Sequence, residues 1–593
     1  MSEQVTPLRL KRERSSPKHS PAKRVPFAQV LVDTGVIHLQ EPFDYLVPEH
    51  LDELISPGSV VVVPFHNRSV KGMVLTRNDS PSITGTIKTI SKVLSNVPPF
   101  DSLYLDFLAQ VSERYATTFW DVARFALESD IPNQEGVENH LGIAQKAPPA
   151  RRPLAYDLDS TPDWPHQLCS LMDSSREHRQ ILLILPDARD IAFFESVRSN
   201  YPWERTDSPQ LIVGNRSAIF SRLQPASLII IFNDGDESSY ERRSPYWNVR
   251  DIALLRAREH SIVFASFSQS LEVARLIESG YIKHRRSRSG IQASFSLPPK
   301  GSEFDVIRSG LKRGPVLIST VKKGYLLSFC CSSCRNIALC KCGGRLYVAK
   351  KGRGEIVQCS ICSQERAQWK CDYCGKTQKR TLQKGHERLA EEYGRAFPGI
   401  PVLLASADQF PTIPTGAPAL VISTLGTELA IAYSAIVLLD SQLLLTRVGL
   451  RTGDYIRRSW FSAISLLQPG GDIFLDCDPV EPISSTLITW NSYKGTIAEL
   501  RELENLPLPP FYRLVLIKVI NGMKNDSLRL KEHLEESNLF STIDITPMGY
   551  VVARASIEKS REISLFFNQY RRLRSLKKMP NLEIRMDPYE LEM

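Results

Sequence analysis

Residues 228–240 read LIIIFNDGDESSY. Five apolar residues run from Leu228 to Phe232 without a polar interruption, and Asn233-Asp234-Gly235-Asp236 then stops them. A run of that length between turn signals reads as a buried strand. Similar runs lie on both sides: Ile181 to Leu185, Leu211 to Val213 and Ile262 to Ala265, each ahead of a helical pattern. Strands alternating with helices predict βαβ units and a parallel sheet. The rhythm returns at Val316 to Ile318, Val402 to Leu404, Leu420 to Ile422, Ile436 to Leu439 and Ile473 to Leu475. The expected class is multidomain α/β. One α/β lobe covers 155–295, and a second covers 300–329 and 376–490 around an insert at 330–375.

The flanks differ. Residues 27–97 carry valine-rich strands (Val30 to Val32, Val60 to Phe65, then Gly72 before Val74) and predict a small β domain. Residues 98–145 show helical periodicity at Leu103, Leu105, Phe107, Leu108 and Val111, and again at Val122, Phe125 and Ala126. Two short helices and a turn predict a winged-helix-like module, with a Pro-rich linker after it. Residues 500–593 alternate strand and helix patterns, with strands at Leu514 to Val519, Tyr550 to Ala553 and Leu582 to Met586.

The chain has 593 residues, enough for about three to five domains. No apolar run reaches the ~18 residues of a membrane helix, and the start of the chain lacks the apolar core of a secretory signal. A cytoplasmic protein with no membrane partner is expected. The net charge of +9 favours polyanions only mildly. Its distribution says more. Residues 1–26 hold Arg9, Lys11, Arg12, Arg14, Lys18, Lys23 and Arg24 against two glutamates, and predict a disordered basic tail that contacts phosphates or merely solubilises. The run Lys283, His284, Arg285, Arg286 and Arg288 predicts a basic loop, for DNA or for solvent.

Nine of the eleven cysteines lie between Cys330 and Cys374. Cys331/Cys334, Cys359/Cys362 and Cys371/Cys374 have C-x-x-C spacing, and Cys340/Cys342 makes a fourth pair. Two thiolates across a tight turn can face one tetrahedral Zn²⁺. Eight such ligands predict two zinc ions per chain, and metal binding would supply the folding energy of so small a core. Disulfides do not suit a cytosolic chain, and ferredoxin clusters space their cysteines differently. Cys330 is left over as a spare or structural thiol.

At this point the chain resembles the PriA family of replication-restart proteins. The family's F-D-Y-x-x-P signature is matched by Phe43-Asp44-Tyr45-Leu46-Val47-Pro48, followed by Pro57-Gly58, Val63-Pro64-Phe65 and Gly72. Its G-T-R-S-A resembles Gly214-Asn215-Arg216-Ser217-Ala218, and its D-S-S-Y loop resembles Glu237-Ser238-Ser239-Tyr240, with Tyr246, Trp247, Arg250 and Asp251 beyond. Gly324-Tyr325 opens the cysteine insert. Leu425-Gly426-Thr427, Leu508-Pro509-Pro510-Phe511 and Asp587-Pro588 follow in the family's order. The resemblance implies helicase-type lobes, a C-terminal DNA-binding domain and a nested pairing of cysteines. One site is Cys331, Cys334, Cys371 and Cys374; the other is Cys340, Cys342, Cys359 and Cys362, one residue short of the usual spacing at Cys340-Lys341-Cys342.

The departures concern catalysis. A phosphate loop G-x-x-x-x-G-K-[ST] holds nucleotide phosphates on backbone amides and a lysine. It is expected near 165–180, where Leu168 to Ser175 offers neither glycine nor lysine. Gly375-Lys376-Thr377 lacks the earlier glycine, since Lys370 stands there. The D-E-E-H motif is replaced by Asn233-Asp234-Gly235-Asp236, and G-S-A-T-P survives only as Phe264-Ala265-Ser266-Phe267-Ser268. The second lobe's K-G-H and Q-x-x-G-R-A-G-R are absent around Leu467-Gln468-Pro469-Gly470-Gly471-Asp472. The pattern resembles the degenerate actinobacterial branch of the family: no catalytic residues, ATP not expected, not an enzyme.

The resemblance implies binding of arrested forks, with the nascent 3′ end in the N-terminal β domain. It also implies recruitment of primosome proteins and reloading of the replicative helicase. Forked and single-stranded DNA and the single-stranded-DNA-binding protein are the implied partners. Asp44 is the expected reader of the 3′ end, because a carboxylate accepts hydrogen bonds from a hydroxyl or a base edge and repels a phosphate. Phe43 and Tyr45 would wall the nucleotide; alternatively they alternate across an ordinary strand while Asp44 solvates its face. Tyr240, Tyr246 and Trp247 offer rings for base stacking or for packing at a hinge. The rival classes are an active ATP-dependent 3′→5′ DNA helicase and a zinc-ribbon interaction protein.

Overall fold

The computed structural model describes residues 20–591 apart from 95–96, 98, 129–151, 176, 179, 200–209, 288–289, 322–328, 335, 342–343, 352–353, 360–363, 367, 382–385, 406–410, 412–415 and 446–448. The described chain divides into two compact units. The first takes the residues up to Glu113 with Thr117–Leu127 and Phe567–Met579; the second takes Arg114–Ala116 and the described parts of Glu128–Phe566 and Pro580–Met593.

The first unit is built on a six-stranded sheet in the order Lys88–Thr89, Phe43–Leu46, Phe27–Val32, Arg68–Asn78, Val60–Phe65, Lys92–Val93. Its β-branched residues suit a pleated, half-covered surface: Val30, Val61, Val63 and Val74 are fully buried on one face. The turn at Pro57-Gly58 requires its glycine. Gly58 has φ +87°, and a Cβ there would stand 1.8 Å from the carbonyl oxygen of Phe100. Trp120, on the helix Phe119–Glu128, donates its indole N–H to the Leu31 carbonyl at 3.1 Å. The expected disordered tail is shorter than 1–26. Pro21 bridges Pro48, and the Ala22 amide donates to the Val47 carbonyl at 2.9 Å, so the chain is tied down by residue 21; residues 1–19 lie outside the described ones. Residues 129–145 of the expected winged helix also lie outside them.

The second unit holds two six-stranded sheets, both parallel throughout. One runs Lys283–Arg285, Leu154–Asp157, Ser261–Ser266, Leu228–Phe232, Gln180–Ile184, Gln210–Gly214. The other runs Ala293–Ser296, Leu467–Leu475, Tyr433–Leu438, Val316–Thr320, Leu420–Thr424, Val402–Ala405. One apolar cluster extends through both lobes, joining Leu183, Ile230 and Phe267 to Leu317, Ile436, Trp460 and Trp490. A shared core of this kind resists hinge motion, because close-packed interiors do not deform continuously. The C-terminal sheet is antiparallel, in the order Thr542–Ile545, Val551–Ser556, Tyr512–Val519, Leu582–Met586.

One expectation is corrected here. The basic run is not a loop from its start: Lys283–Arg285 is the edge strand of the first lobe's sheet. Charged residues are a common guard on an edge, and the strand period turns His284 inward while Lys283 and Arg285 stay exposed.

Candidate nucleic-acid interface and metal centre

Asp44 lies in the strand Phe43–Leu46, opposite Gln29 of Phe27–Val32. It does not solvate a face; it is 7% exposed. The Ser82 amide and hydroxyl both donate to its Oδ2, at 2.7 and 2.6 Å. Its Oδ1 is buried and has no hydrogen-bond partner among the described residues. A buried oxygen without a donor costs about 1–3 kcal/mol. Strand alternation puts Phe43 and Tyr45 on the opposite face. Tyr45 is core: it is buried, its hydroxyl donates to the Pro64 carbonyl at 3.3 Å, and burial pushes its phenol up to about 12. Phe43 packs edge-on to Phe65, centroids 5.3 Å apart. These rings hold the strand and do not wall the carboxylate.

A phosphate loop joins a strand to the helix that follows it. The expected placement near 165–180 is corrected, because Trp164–Asp173 is a helix. The first lobe has two candidate crossings. Leu185–Asp187, ahead of the helix Ala188–Arg198, is too short for an eight-residue motif. Leu158–Asp163 has room for the motif's first six positions, the last two then falling on the helix, and runs from the strand Leu154–Asp157 to Trp164–Asp173. Neither crossing has a glycine or a lysine. The longer one is occupied by its own side chains. Asp157 accepts from Gln269 Nε2 at 3.0 Å on Oδ1, and His284 Nε2 lies 2.8 Å from its Oδ2. Trp490 donates to the Leu158 carbonyl at 3.4 Å, and Gln167 bonds both the amide and the carbonyl of Asp159. The cavity left beside it is about 210 Å³, below the ~300–1,000 Å³ of ordinary ligand pockets. Its cation, Arg286, sits over the Tyr493 ring at 5.0 Å.

The acidic segment is neutralised in the same way. Arg250 bridges Asp234 at 3.3 Å and Glu272 at 3.2 Å, and Arg451 also pairs with Glu272. Arg458, on the helix Thr452–Ser465, reaches across to Asp236 at 2.6 Å. Burial opposes ionisation of Asp236, but Arg458 and Ser238 outweigh it and hold its carboxyl below the usual range. For Asp234, burial wins over Arg250 and Ser270 and raises it. A cleft of about 520 Å³ between the lobes is lined by Asp187, Asp190, Asp236 and Glu428, with Arg189 and Arg458. Arg189 is engaged by Asp187 and by the Gly426 carbonyl.

Of the three rings offered for stacking, Trp247 is fully buried and edge-on to Phe220 at 5.1 Å. Tyr240 is 9% exposed. A ring with no exposed face cannot take a base, so the packing alternative holds for both. Tyr246 is half-buried, donates to Glu583 at 2.9 Å and carries Arg585 4.7 Å above its ring. Sequence reasoning missed Ser82, Gln269 and Trp490, and read His284 only as part of a basic run. Each acts through a long-range contact that no local pattern signals.

In the insert, Cys331 and Cys374 sulfurs are 3.4 Å apart, Cys334 and Cys371 are 3.5 Å apart, and all four ligand atoms lie within 4.8 Å of one another. These separations are too long for disulfides. They bracket the ~3.8 Å edge of a tetrahedron with 2.3 Å Zn–S bonds. Backbone amides of Cys334 and Ser333 pull the Cys331 thiol below its usual range, whereas at Cys374 the pull of the Lys376 amide is outweighed by the neighbouring thiols, which push it up. The four cysteines could therefore hold a metal ion. Cys340 and Cys359 are buried, but Cys342 and Cys362 lie outside the described residues. Cys330 points away from the four, its strand position opposite Arg380.

Comparison with known proteins fits this layout. The family model of the PriA 3′-DNA-binding domain matches residues 29–128, which include Asp44 and the helices Ser102–Arg114 and Phe119–Glu128. A Mycobacterium bovis protein named probable replication restart protein PriA is 29% identical, over 80% of this chain and 84% of its own. A Mycobacterium leprae protein of the same name is 26% identical, over 89% and 94%. A Rickettsia conorii protein named replication restart protein PriA is 21% identical, over 62% and 65%. No helix of the described residues is long and apolar enough to cross a membrane. Along most of its length, then, the chain resembles the replication restart proteins of the PriA family.

Proposed function

We propose that the chain is a replication-restart platform: it seats the nascent 3′ end of an arrested fork against Asp44 and docks the proteins that reload the replicative helicase, without turning over ATP. The observation that carries this reading is the buried, partnerless Oδ1 of Asp44 inside the segment that matches a 3′-DNA-binding domain. A terminal 3′-hydroxyl or an exocyclic amine can donate to that oxygen; a phosphate cannot. Ser82 holds the other oxygen, so the carboxylate is oriented before DNA arrives.

The lobes serve as scaffold. Phosphoryl transfer needs a phosphate cradle, a lysine, metal-held charge and transition-state cations. Here the crossing Leu158–Asp163 supplies aspartates and serine, and Asp234 and Asp236 are spent on arginines. Zinc would be held by Cys331, Cys334, Cys371 and Cys374, and a second zinc by Cys340, Cys342, Cys359 and Cys362; its part would be structural tethering of the insert. Primosome proteins, the replicative helicase and the single-stranded-DNA-binding protein are the partners that the relatives' name suggests.

Gel-shift titration of fork substrates tests the reading. Forks with a free nascent 3′-hydroxyl should bind more tightly than forks ending in a 3′-phosphate; equal affinity would reject it. In parallel, the protein should carry two zinc ions per chain by metal analysis. It should release no phosphate from ATP with or without DNA. DNA-stimulated turnover that disappears on substituting Asp234 and Asp236 together would put an active helicase in its place.

A further inference from the structure

In the C-x-x-C turn Cys371-Asp372-Tyr373-Cys374, Cys371 is buried while Asp372, Tyr373 and Cys374 are exposed. The Gly375 amide donates to the Cys371 carbonyl and the Cys371 amide to the Lys376 carbonyl, both at 2.9 Å. Gly375 takes φ +71° with open space around it, so the turn is fixed by these bonds and not by packing. The consequence is that residues 372–380 are exposed without exception. Tyr373 is 71% exposed, more than any other aromatic ring among the described large hydrophobics. Around it the segment 370–380 carries Lys370, Lys376, Lys379 and Arg380 against the single acid Asp372. Lys379 and Arg380 lie on the short strand that pairs with Phe329–Cys331, opposite Cys331 and Cys330. Lys379 also sits 5.7 Å from the Phe329 ring centroid.

We infer that this turn is a docking point for unpaired DNA: Tyr373 stacks on a base while Lys376, Lys379 and Arg380 track the phosphates on either side. The inference rests on the restart reading and gives the insert a task within it. An exposed tyrosine inside a cationic segment is the combination that single-strand binders use, since every base has a face to stack and every link a phosphate. Duplex DNA would use the cations but has no free base face for the ring. A protein partner would need a wider apolar surface: among the described residues of the insert only Leu339, at 38%, joins Tyr373 as an exposed large hydrophobic. The cysteine turn adds preorganisation, because a ring on a turn already held rigid loses little freedom on binding.

The test uses the zinc-loaded full chain and a dT20 strand blocked with a 3′-phosphate, so that Asp44 does not contribute. Tyr373→Ala should weaken binding by about 5- to 100-fold, the range for losing one stacked base, while Tyr373→Phe stays close to the parent. Lys376→Ala should flatten the salt dependence by about 0.7 in slope. Zinc content should not move in either variant, and blunt-duplex affinity should not move in Tyr373→Ala. Unchanged dT20 binding by zinc-replete Tyr373→Ala would overturn the inference. If that variant loses zinc, an iodouracil-substituted dT20 decides on the parent protein: a photocrosslink in the peptide bearing Tyr373 supports the site, and crosslinks confined elsewhere reject it. Fork preference for a free 3′ end is read separately, so either result can fail without the other.

Discussion

Asp44 and Asp157 are both strand carboxylates, 7% and 9% exposed, and they have opposite fates. Asp157 stands where a phosphate loop would begin, and both its oxygens are taken, by Gln269 and His284. Asp44 has one oxygen held by Ser82 and the other left without a donor. A buried polar atom left unsatisfied is a cost that a fold sheds unless something else uses it. The oxygens of Asp157 are taken by the protein's own groups, whereas Asp44 Oδ1, itself buried, has no donor among the described residues. The comparison sets a carboxylate satisfied by the fold against the one on which the proposed 3′-end reading depends.

The largest effect is expected where buried carboxylates are satisfied by the fold. Arg250 is 6% exposed and satisfies Asp234 and Glu272 together. Arg250→Ala would leave the buried Asp234 without its cation and Glu272 with Arg451 alone, at a cost of about 3–5 kcal/mol in unfolding free energy. Urea denaturation reads this directly. A loss under about 1 kcal/mol would mean that the ion web does not hold the lobes, and the scaffold reading would lose its main support.

The next pair forms a crossed test. Asp44→Ala should weaken binding to forks with a free 3′ end by about 1–3 kcal/mol and leave blunt-duplex binding, which phosphate contacts dominate, nearly unchanged. Asp157→Ala should leave fork binding alone and lower stability by about 1–3 kcal/mol, because Gln269 and His284 lose their buried acceptor. It should also release no ATPase activity. If Asp44→Ala destabilised the fold while Asp157→Ala impaired fork binding, the two assignments would be reversed and the comparison broken.

How far the sequence could reveal this division follows from the kind of signal each part carries. Leu228 to Phe232 was legible residue for residue, because a continuous apolar run fits a strand covered on both faces. The lobe strands at Ile181, Ile262, Val316 and Leu420 were legible for the same reason. The cysteine spacing marked the pairs, and the family resemblance implied which four come together, the four that the structure gathers. What stayed hidden depends on contacts between distant segments. The alternation of Phe43 and Tyr45 was open to reading, but the cap from Ser82, 38 positions away, was not. The phosphate-loop position was placed too late because only sheet order and crossing length show which strand leads into which loop. Trp247 looked equally suited to a base or a core, since an aromatic ring serves both; its zero exposure decides.

The smallest effect concerns a third carboxylate, in the larger cleft. Burial first, then Asp187 and Asp236, outweigh Arg189 and push the Asp190 carboxyl up to about 8. Unlike Asp44 and Asp157, it is partly open to solvent. The sign follows from linkage. At neutral pH the folded chain keeps this group protonated while the unfolded chain ionises it near the ordinary aspartate value. Its contribution to stability is therefore complete below about pH 4 and is lost progressively as pH rises toward 8. Asp190→Asn removes the titration, so the variant should match the parent near pH 4 and gain on it as pH rises. Water screens a partly exposed group, so the gain should stay below about 1 kcal/mol. Urea midpoints measured at pH 5 and pH 8 check it, because titrations common to both chains cancel in the difference. A gain of the same size at both pH values would show that Asn helps by packing alone. A gain larger at pH 5 would mean that Asp190 is ionised in the fold and paired with Arg189, a third closed carboxylate like Asp157 and not a strained one.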